Sequence, residues 1–137
     1  MKWFFIVNPN AGSRKGTRDW PRISRLIKES GLSHESILTT HRGHAIGLTL
    51  DCLKQGYRRI AIVGGDGTLN EVLNGIYSQQ EIETKEILIG MIPVGTGNDW
   101  CRMFNIPFDY KKALELCGSD NQLCQNAQQG LQKLGVK

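Results

Sequence analysis

The chain has 137 residues, of which 39% are hydrophobic and 22% charged, and its formal net charge is +4. This length suits one globular domain, and the mixed composition excludes a disordered or fibrous protein. The longest apolar run, residues 87–94, is interrupted by Gly90 and Pro93 and is too short to span a bilayer.

The positive charge is concentrated in the first half of the chain. Residues 1–60 contain 11 lysines and arginines and 4 acidic residues, a net charge of +7, whereas residues 61–137 have a net charge of −3. This asymmetry suits an anionic ligand or an anionic membrane surface. A solvated helix face is the favoured alternative for Arg18, Arg22 and Arg25, which fall at helical spacing. Since no aromatic platform accompanies the basic residues, we expect no nucleic-acid partner.

The first apolar segment, residues 3–7, predicts a β-strand. It is too short for a signal peptide and lacks a small-residue cleavage site. The four cysteines show neither metal-ligand spacing nor disulfide density, which indicates a reducing cytoplasm, with peripheral binding at the inner membrane surface as a further expectation. These cysteines are Cys52, Cys101, Cys117 and Cys124.

The first strand stops at a turn that contains Asn8, Pro9, Asn10 and Gly12. A flexible basic loop should follow at residues 14–16. The next helix is predicted over residues 19–30, with Asp19 as its cap and Pro21 in its first turn. A second strand is predicted over residues 36–39 and a second helix over residues 44–55, with Ile46, Thr49, Leu50 and Leu53 buried.

Residues 60–77 form the central strand–turn–helix unit of the sequence. A buried strand at residues 60–63 is followed by Gly64, Gly65 and Gly67, and we expect Asp66, which lies between them, to be buried. The spacing of Thr68 and Glu71 predicts a capping box at the start of a helix whose apolar repeat is Leu69, Val72, Leu73, Ile76 and Tyr77. This arrangement directs backbone N–H groups towards an anion, usually a phosphate, although a purely structural turn is an alternative.

The second half repeats the pattern. An acidic link over residues 79–86 precedes an apolar strand at residues 87–92, a turn at residues 93–99 and a short helix at residues 100–104. A last helix should run over residues 110–117, capped by Asp109 and closed by Gly118.

The alternation of strands and helices predicts a three-layer, Rossmann-like α/β domain over residues 1–118, with a parallel sheet and helices on both faces. The turns that follow the strands should then lie along one edge of the sheet, where such folds bind ligands. Residues 119–137 are polar and amide-rich, and we interpret them as a loose tail or the start of a second domain.

The two glycine-rich turns suit a polyphosphate, and Asp66 or Asp99 could orient Mg²⁺ through water. We expect no metal cage of protein ligands, because the three histidines are few and local. Arg42 and His44 could meet a phosphate or belong to a surface loop. The spacing of the residues shows no nucleophile–base pair, so nothing in the sequence supports covalent catalysis.

Three segments together resemble the diacylglycerol kinase catalytic domain family, which includes bacterial lipid kinases and sphingosine kinases. They are Asn8-Pro9-x-x-Gly12, Gly64-Gly65-Asp66-Gly67-Thr68-x-Asn70-Glu71, and Pro93-x-Gly95-Thr96-Gly97-Asn98-Asp99, in the order and spacing of the family. The glycine–aspartate–glycine turn alone is shared with NAD kinases, whereas the third segment is similar to the lipid branch.

The resemblance implies ATP and Mg²⁺ as cofactors and transfer of the γ-phosphoryl group to a lipid hydroxyl, such as that of diacylglycerol, at a membrane surface. It implies Asp66 as the catalytic residue within this chain. Thr39 matches a family threonine four positions before Gly43, with Thr40 as the weaker candidate. The residues implied to bind the nucleotide are Asn8, Pro9, Asn10, Gly12, Thr39, Thr40, Gly64, Gly65, Asp66, Gly67, Thr68, Asn70, Glu71, Gly95, Thr96, Gly97, Asn98 and Asp99.

The family normally continues into a second, β-rich domain that holds the lipid and supplies the main catalytic base. We therefore expect the 137-residue chain to be inactive by itself and to self-associate through uncovered apolar surface, forming a homo-oligomer. Two alternatives remain open: an NAD kinase-like enzyme and a non-catalytic nucleotide-binding or regulatory module.

Overall fold

A computed structural model describes residues 2–95, 98–103, 105–119 and 125–126 of the chain. The described strands form one sheet in the order β2-β1-β3-β4-β5. The first four pair in parallel, and β5 pairs antiparallel with β4. The strands are β1 (Trp3–Val7), β2 (His34–Leu38), β3 (Arg59–Gly64), β4 (Leu88–Pro93) and β5 (Gln125–Asn126).

Helices occupy both faces of this sheet. The helix α1 contacts α5, and α2 contacts α3, while α5 and α3 also touch strands β4 and β3. The predicted three-layer α/β architecture is therefore confirmed. The helices are α1 (Ala11–Ser30), α2 (His44–Lys54), α3 (Asp66–Tyr77), α4 (Asp99–Met103) and α5 (Tyr110–Ser119), and a short 3-10 helix covers Thr84–Glu86.

The core lies around the three central strands. Every residue of β1 is buried, and the register places Ile6 between Ile37 of β2 and Ile62 of β3. Burying one such side chain stabilises a fold by about 1.5–3 kcal/mol. The edge strand β2 is mostly exposed. The sheet is therefore anchored at its centre, which fixes the positions where β1, β3 and β4 end.

The predicted start of the first helix is wrong. The helix α1 begins at Ala11, so Asp19 lies inside it rather than at its cap, and Pro21 is internal. Residues 14–16 belong to α1 rather than to a loop, although Gly12, Ser13 and Arg14 have left-handed backbone angles. These three residues kink α1 near its start. The Thr17 N–H and hydroxyl both donate to the Pro9 carbonyl, at 2.7 and 2.8 Å, and hold this stretch of α1 against the turn after β1.

Smaller differences concern the helix faces and ends. In α2, Thr49 and Leu53 are buried as predicted, while Ile46 and Leu50 are only partly buried, and Tyr77 of α3 is 53% exposed. The predicted cap of α5 is confirmed, because the Lys112 N–H donates to Asp109 Oδ1 at 2.9 Å. Gly118 does not close this helix, since α5 continues to Ser119.

Part of the predicted polar tail belongs to the sheet. Residues 125 and 126 pair with Ile89 and Leu88 of β4. The other tail residues, 120–124 and 127–137, lie outside the described part of the chain, as does Phe104 at the predicted end of the short helix. None of the described helices combines the length and apolarity needed to cross a membrane.

Candidate functional site

The turns after β1, β2, β3 and β4 lie along one edge of the sheet, because the four strands run in parallel. Backbone hydrogen bonds extend the pairing just past the strand ends. The N–H of Asn8 donates to Val63 at 2.9 Å, that of Thr39 to Val7 at 2.8 Å, and that of Val94 to Gly64 at 2.9 Å. The predicted clustering of the turns is therefore confirmed.

Asn8 connects the first turn to α3. Its Oδ1 accepts the Asn10 N–H at 3.0 Å, and its Nδ2 donates to the Thr68 hydroxyl at 3.1 Å. Thr68 is 5% exposed. The predicted capping box is wrong, because α3 begins two residues earlier at Asp66 with Gly65 as its N-cap, which has no side chain. The Thr68 hydroxyl is thus turned towards Asn8.

The other member of the expected capping box also points away from its own helix start. Glu71 Oε1 accepts the Ala45 N–H of α2 at 3.3 Å. Near this contact is an open cavity of about 280 Å³, where carboxylate, guanidinium, imidazole, amide and hydroxyl groups meet. It is lined by Asn8, Asn10, Thr39, His41, Arg42, Thr68 and Glu71.

The connection between β2 and α2 is held by histidines. The Thr40 N–H donates to His44 Nδ1 at 3.0 Å, and the rings of His41 and His44 stack at 4.6 Å between centroids. Arg42 lines the cavity. The structure therefore favours a place for Arg42 at the site over one on a surface loop away from it. Thr40 mainly shapes the connection between β2 and α2.

Asp66 joins the two glycine-rich turns. Its Oδ2 accepts the Asp99 N–H at 2.8 Å. The residue is only partly buried, in contrast to the burial expected from the sequence. Asp99 is exposed and lies 3.6 Å from Arg102, whereas Asn98 is 2% exposed and donates from Nδ2 to the Gly95 carbonyl at 3.4 Å. Asp66 thus fixes the position at which α4 begins after the second turn.

Two close approaches in this region leave no room for a side chain at the glycine concerned. A Cβ built on Gly12 would lie 2.8 Å from Gly95 Cα, and one built on Gly95 would lie 2.7 Å from Gly12 Cα. Both glycines have positive φ angles. A Cβ on Gly65 would lie 2.9 Å from Asn98 Oδ1. The turns after β1 and β4 therefore touch through glycine backbone, and the turn after β3 meets the Asn98 side chain at Gly65.

Two residues of this site were missed by the sequence reasoning. A Cβ on Gly16 would collide with the Asn8 carbonyl oxygen and lie 2.8 Å from that of Pro9. The adjacent Thr17 holds the Pro9 carbonyl through two hydrogen bonds. The available signal was the threonine itself, because threonine hydroxyls often hydrogen-bond to nearby backbone groups.

The edge suits an anion with a coordinated cation. The amino end of α3 carries no capping side chain, and the helix dipole favours negative charge there. Asp66 and Asp99 offer two carboxylates beside it, which fits a hard cation held through water. Within the described residues, no group of three or more histidine, cysteine or acidic side chains is arranged to hold a metal.

The residues predicted from the sequence separate into two groups. Asn8, Asn10, Thr39, Thr68 and Glu71 line the cavity. Gly12, Gly65, Asp66, Gly95, Asn98 and Asp99 form the contact between turns. Gly64 lies against Thr68. Gly67 and Asn70 are exposed on α3. The carbonyl of Pro9 accepts the Thr17 N–H. Thr96 and Gly97 lie outside the described residues.

The comparison with protein families matches the model of the diacylglycerol kinase catalytic domain over residues 2–128. The chain belongs to this family. Membership confirms the resemblance drawn from the three segments, all of which contribute residues to the two groups above.

Curated relatives of the family are similar over most of this chain. YtlR of Bacillus subtilis, a candidate lipid kinase, is 40% identical over 107 residues, which are 76% of this chain and 33% of YtlR. A diacylglycerol kinase of Staphylococcus carnosus is 34% identical over 111 residues, 81% of this chain and 35% of that protein. The chain therefore spans about a third of the length of the curated relatives it matches.

Solved structures of the family show the same fold. A crystal structure of a diacylglycerol kinase from Bacillus anthracis matches with a TM-score of 0.73 and 26% sequence identity. The match covers 88% of this chain and 40% of that chain. The diacylglycerol kinase fold thus accounts for nearly all of the sheet and helices described above.

Proposed function

We propose that this chain is the ATP-binding part of a lipid kinase that transfers the γ-phosphoryl group of ATP to a lipid hydroxyl, such as that of diacylglycerol. The observation that carries the proposal is the meeting of two glycine turns and the uncapped end of α3 beside a polar cavity. Family membership and relatives named diacylglycerol kinase support the reaction type.

The phosphates would lie over the turn that begins α3. Gly64, Gly65 and Gly67 leave the backbone uncovered there, and Gly67 has open space where a Cβ would be. Anions bind at helix amino ends because the N–H groups and the helix dipole both favour negative charge. Asn70, which is exposed on α3, and Gly95 of the second turn would contribute further contacts, as would Thr96 and Gly97, which the resemblance to the family implies.

The adenosine part would occupy the cavity, where Asn8, Asn10 and Thr39 would be its direct contacts. These side chains offer amide and hydroxyl groups, which can hydrogen-bond ribose hydroxyls and base nitrogens. Pro9 and Thr40 act through the backbone and through loop shape rather than by direct contact. This division separates base and sugar recognition from phosphate recognition.

The chemistry of the site would be positioning and neutralisation of charge. Asp66 and Asp99 would hold Mg²⁺ through water, and the ion would neutralise negative charge on the phosphates. Asp66 already connects the two turns, so it would set the distance between the phosphates and that ion. The main base for the lipid hydroxyl belongs, in this proposal, to sequence beyond the matched third of the relatives.

The location and partners follow from the same proposal. The protein would act in the cytoplasm and meet its acceptor lipid peripherally at the inner membrane surface. The exposed basic residues of α1, which include Arg14, Lys15 and Arg22, suit an anionic lipid surface.

The proposal is tested by titrating ATP with Mg²⁺ into the parent and Gly65→Val in a calorimeter. The valine side chain would meet Asn98 Oδ1 and fill the phosphate space, so we expect at least about a tenfold loss of affinity. Gly47→Ala is the control, because Gly47 is exposed on α2 with nothing near its Cβ position. Equal affinities for the parent and Gly65→Val would place the nucleotide elsewhere.

A further inference from the structure

The amino end of α2 is completed by a residue of another helix. Its N-cap, Gly43, has a φ of 84° and no side chain, and the first turn of α2 contains no acidic residue. The N–H of His44 donates to His41 at 3.2 Å and that of Ile46 to Gly43 at 3.1 Å. The N–H of Ala45, which is fully buried, donates to Glu71 Oε1 of α3 at 3.3 Å.

A second contact, one turn further along, fixes the distance between these helices. A Cβ on Gly75 would lie 3.0 Å from both the Ile46 carbonyl oxygen and Thr49 Cβ. Thr49 is fully buried, and its hydroxyl donates to the Ala45 carbonyl at 2.7 Å. Glu71 and Gly75 stand four residues apart on α3 and therefore share a face. They oppose Ala45 and Thr49, which stand four apart on α2.

We propose that Glu71 is a positioning residue that caps α2 from α3 and thereby fixes the cavity wall formed by Thr39, His41 and Arg42. A carboxylate at a helix amino end accepts an N–H group and neutralises the positive end of the dipole. The wall residues lie in the connection that leads directly into α2. Movement of the amino end of α2 would therefore shift them relative to Asn8 and Thr68.

The effect on the ligand rests on the proposed nucleotide function, whereas the contact between the helices does not. A charge contact with a ligand and a hydrogen bond to the Ala45 N–H can be separated by substitution. Gln at position 71 keeps an acceptor oxygen but no charge, whereas Ala keeps neither. A purely charge-dependent contact of Glu71 with a ligand would be lost in both variants. A positioning role through the Ala45 N–H is retained by Gln.

The experiment measures amide hydrogen exchange at Ala45 together with the ATP affinity of the parent, Glu71→Gln, Glu71→Ala and Gly75→Ala. We expect Glu71→Ala to speed Ala45 exchange and to weaken ATP binding, each by about 2- to 30-fold, the range that follows from losing a helix cap. Glu71→Gln should stay near the parent in both. Gly75→Ala, which keeps the carboxylate but pushes the helices apart, should also speed Ala45 exchange.

Asn74→Ala is the matched control, since Asn74 is exposed on the same helix. Melting temperatures of all variants identify any that fail to fold, and Glu71→Gln then decides the question. Unchanged Ala45 exchange in a folded Glu71→Ala overturns the proposal, as does a Glu71→Gln that binds ATP as weakly as Glu71→Ala. If the parent itself binds no ATP, the nucleotide function fails, while Ala45 exchange still decides whether Glu71 caps α2.

Discussion

At the scale of the residue, single polar side chains of this protein join turns that are distant in the chain. Asn8 and Thr68 are 60 positions apart, and Asp66 and Asp99 are 33 apart, yet each pair is hydrogen-bonded. Such bonds contribute about 0.5–1.5 kcal/mol each, which is small beside the hydrophobic core. Their larger effect is to fix the relative positions of the turns.

Replacing Thr68 by Val should lower the free energy of unfolding by about 1–2 kcal/mol. The substitution keeps the shape of a side chain that is 5% exposed but leaves Asn8 Nδ2 without its acceptor. The measurement is urea denaturation followed by circular dichroism. Thr68→Ser keeps the hydroxyl and is the control, so a Val variant as stable as the Ser variant would show that this bond contributes nothing.

At the scale of the element, α1 and α5 are linked by polar as well as apolar contacts. Asp19 accepts from Arg18 Nε at 2.9 Å and from the Tyr110 hydroxyl at 2.6 Å, and Arg22 lies over the Tyr110 ring. The hydrogen bond from Arg18, followed by that from Tyr110, lowers the pKa of Asp19 to about 2. Burial, followed by the bond to Asp19, raises the pKa of Tyr110 to about 12.

The stability that this link provides should depend on pH at both ends of the scale. Because the pKa of Asp19 is lower in the folded state, its contribution is present above about pH 4 and is lost as the pH falls towards 2. Because the pKa of Tyr110 is raised, its contribution is present below about pH 10 and is lost as the pH rises towards 12.

Asp19→Asn should therefore be less stable than the parent at pH 6 by roughly 1–2 kcal/mol, and this difference should shrink between pH 4 and pH 2. The measurement is thermal unfolding across that range, with Glu29→Gln as the control on an exposed position of α1. A difference that stays constant down to pH 2 would mean that Asp19 acts by packing rather than by its charge.

At the scale of the whole molecule, the described strands form one sheet, and the turns after its four parallel strands form the edge that holds the candidate site. The edge strand β2 exposes Ile37 and Leu38, and Met103 at the end of α4 and Phe108 between α4 and α5 are also exposed. Exposed apolar side chains of this kind mark surfaces for further contacts. Homo-oligomerisation through them stays a prediction.

The 137-residue chain by itself should transfer no phosphoryl group to lipid above background. It spans about a third of the length of its curated relatives. General-base assistance contributes about 10²–10⁴-fold, and positioning of the acceptor can contribute more. The measurement is incorporation of radiolabelled phosphate from ATP into diacylglycerol or sphingoid acceptors in detergent micelles.

The diacylglycerol kinase of Staphylococcus carnosus, assayed in parallel, serves as the positive control. Lipid labelling by the chain that disappears in Asp66→Asn would contradict the prediction. It would mean that the acceptor site lies within these residues or between two copies of them.

The sequence alone determined the four parallel strands, the glycine-rich turns and the family. Strands β1, β3 and β4 were recognised because apolar runs report burial locally, and the glycine turns because few residues tolerate such backbone. The parallel sheet followed from the alternation of elements, and with it the common edge that holds the site. These features depend on neighbours along the chain, which the sequence displays directly.

Only the tertiary structure decided what the polar side chains contact. Thr68 and Glu71 have the spacing of a capping box, but Asn8 and Ala45 supply partners that the box could not anticipate. Asp19 resembled a helix cap, but it lies inside α1, where it accepts hydrogen bonds from Arg18 and from the distant Tyr110. In each case the same donor or acceptor could form a hydrogen bond of similar energy with a local or a distant partner. The packing of the helices on the sheet therefore decides which hydrogen bond forms.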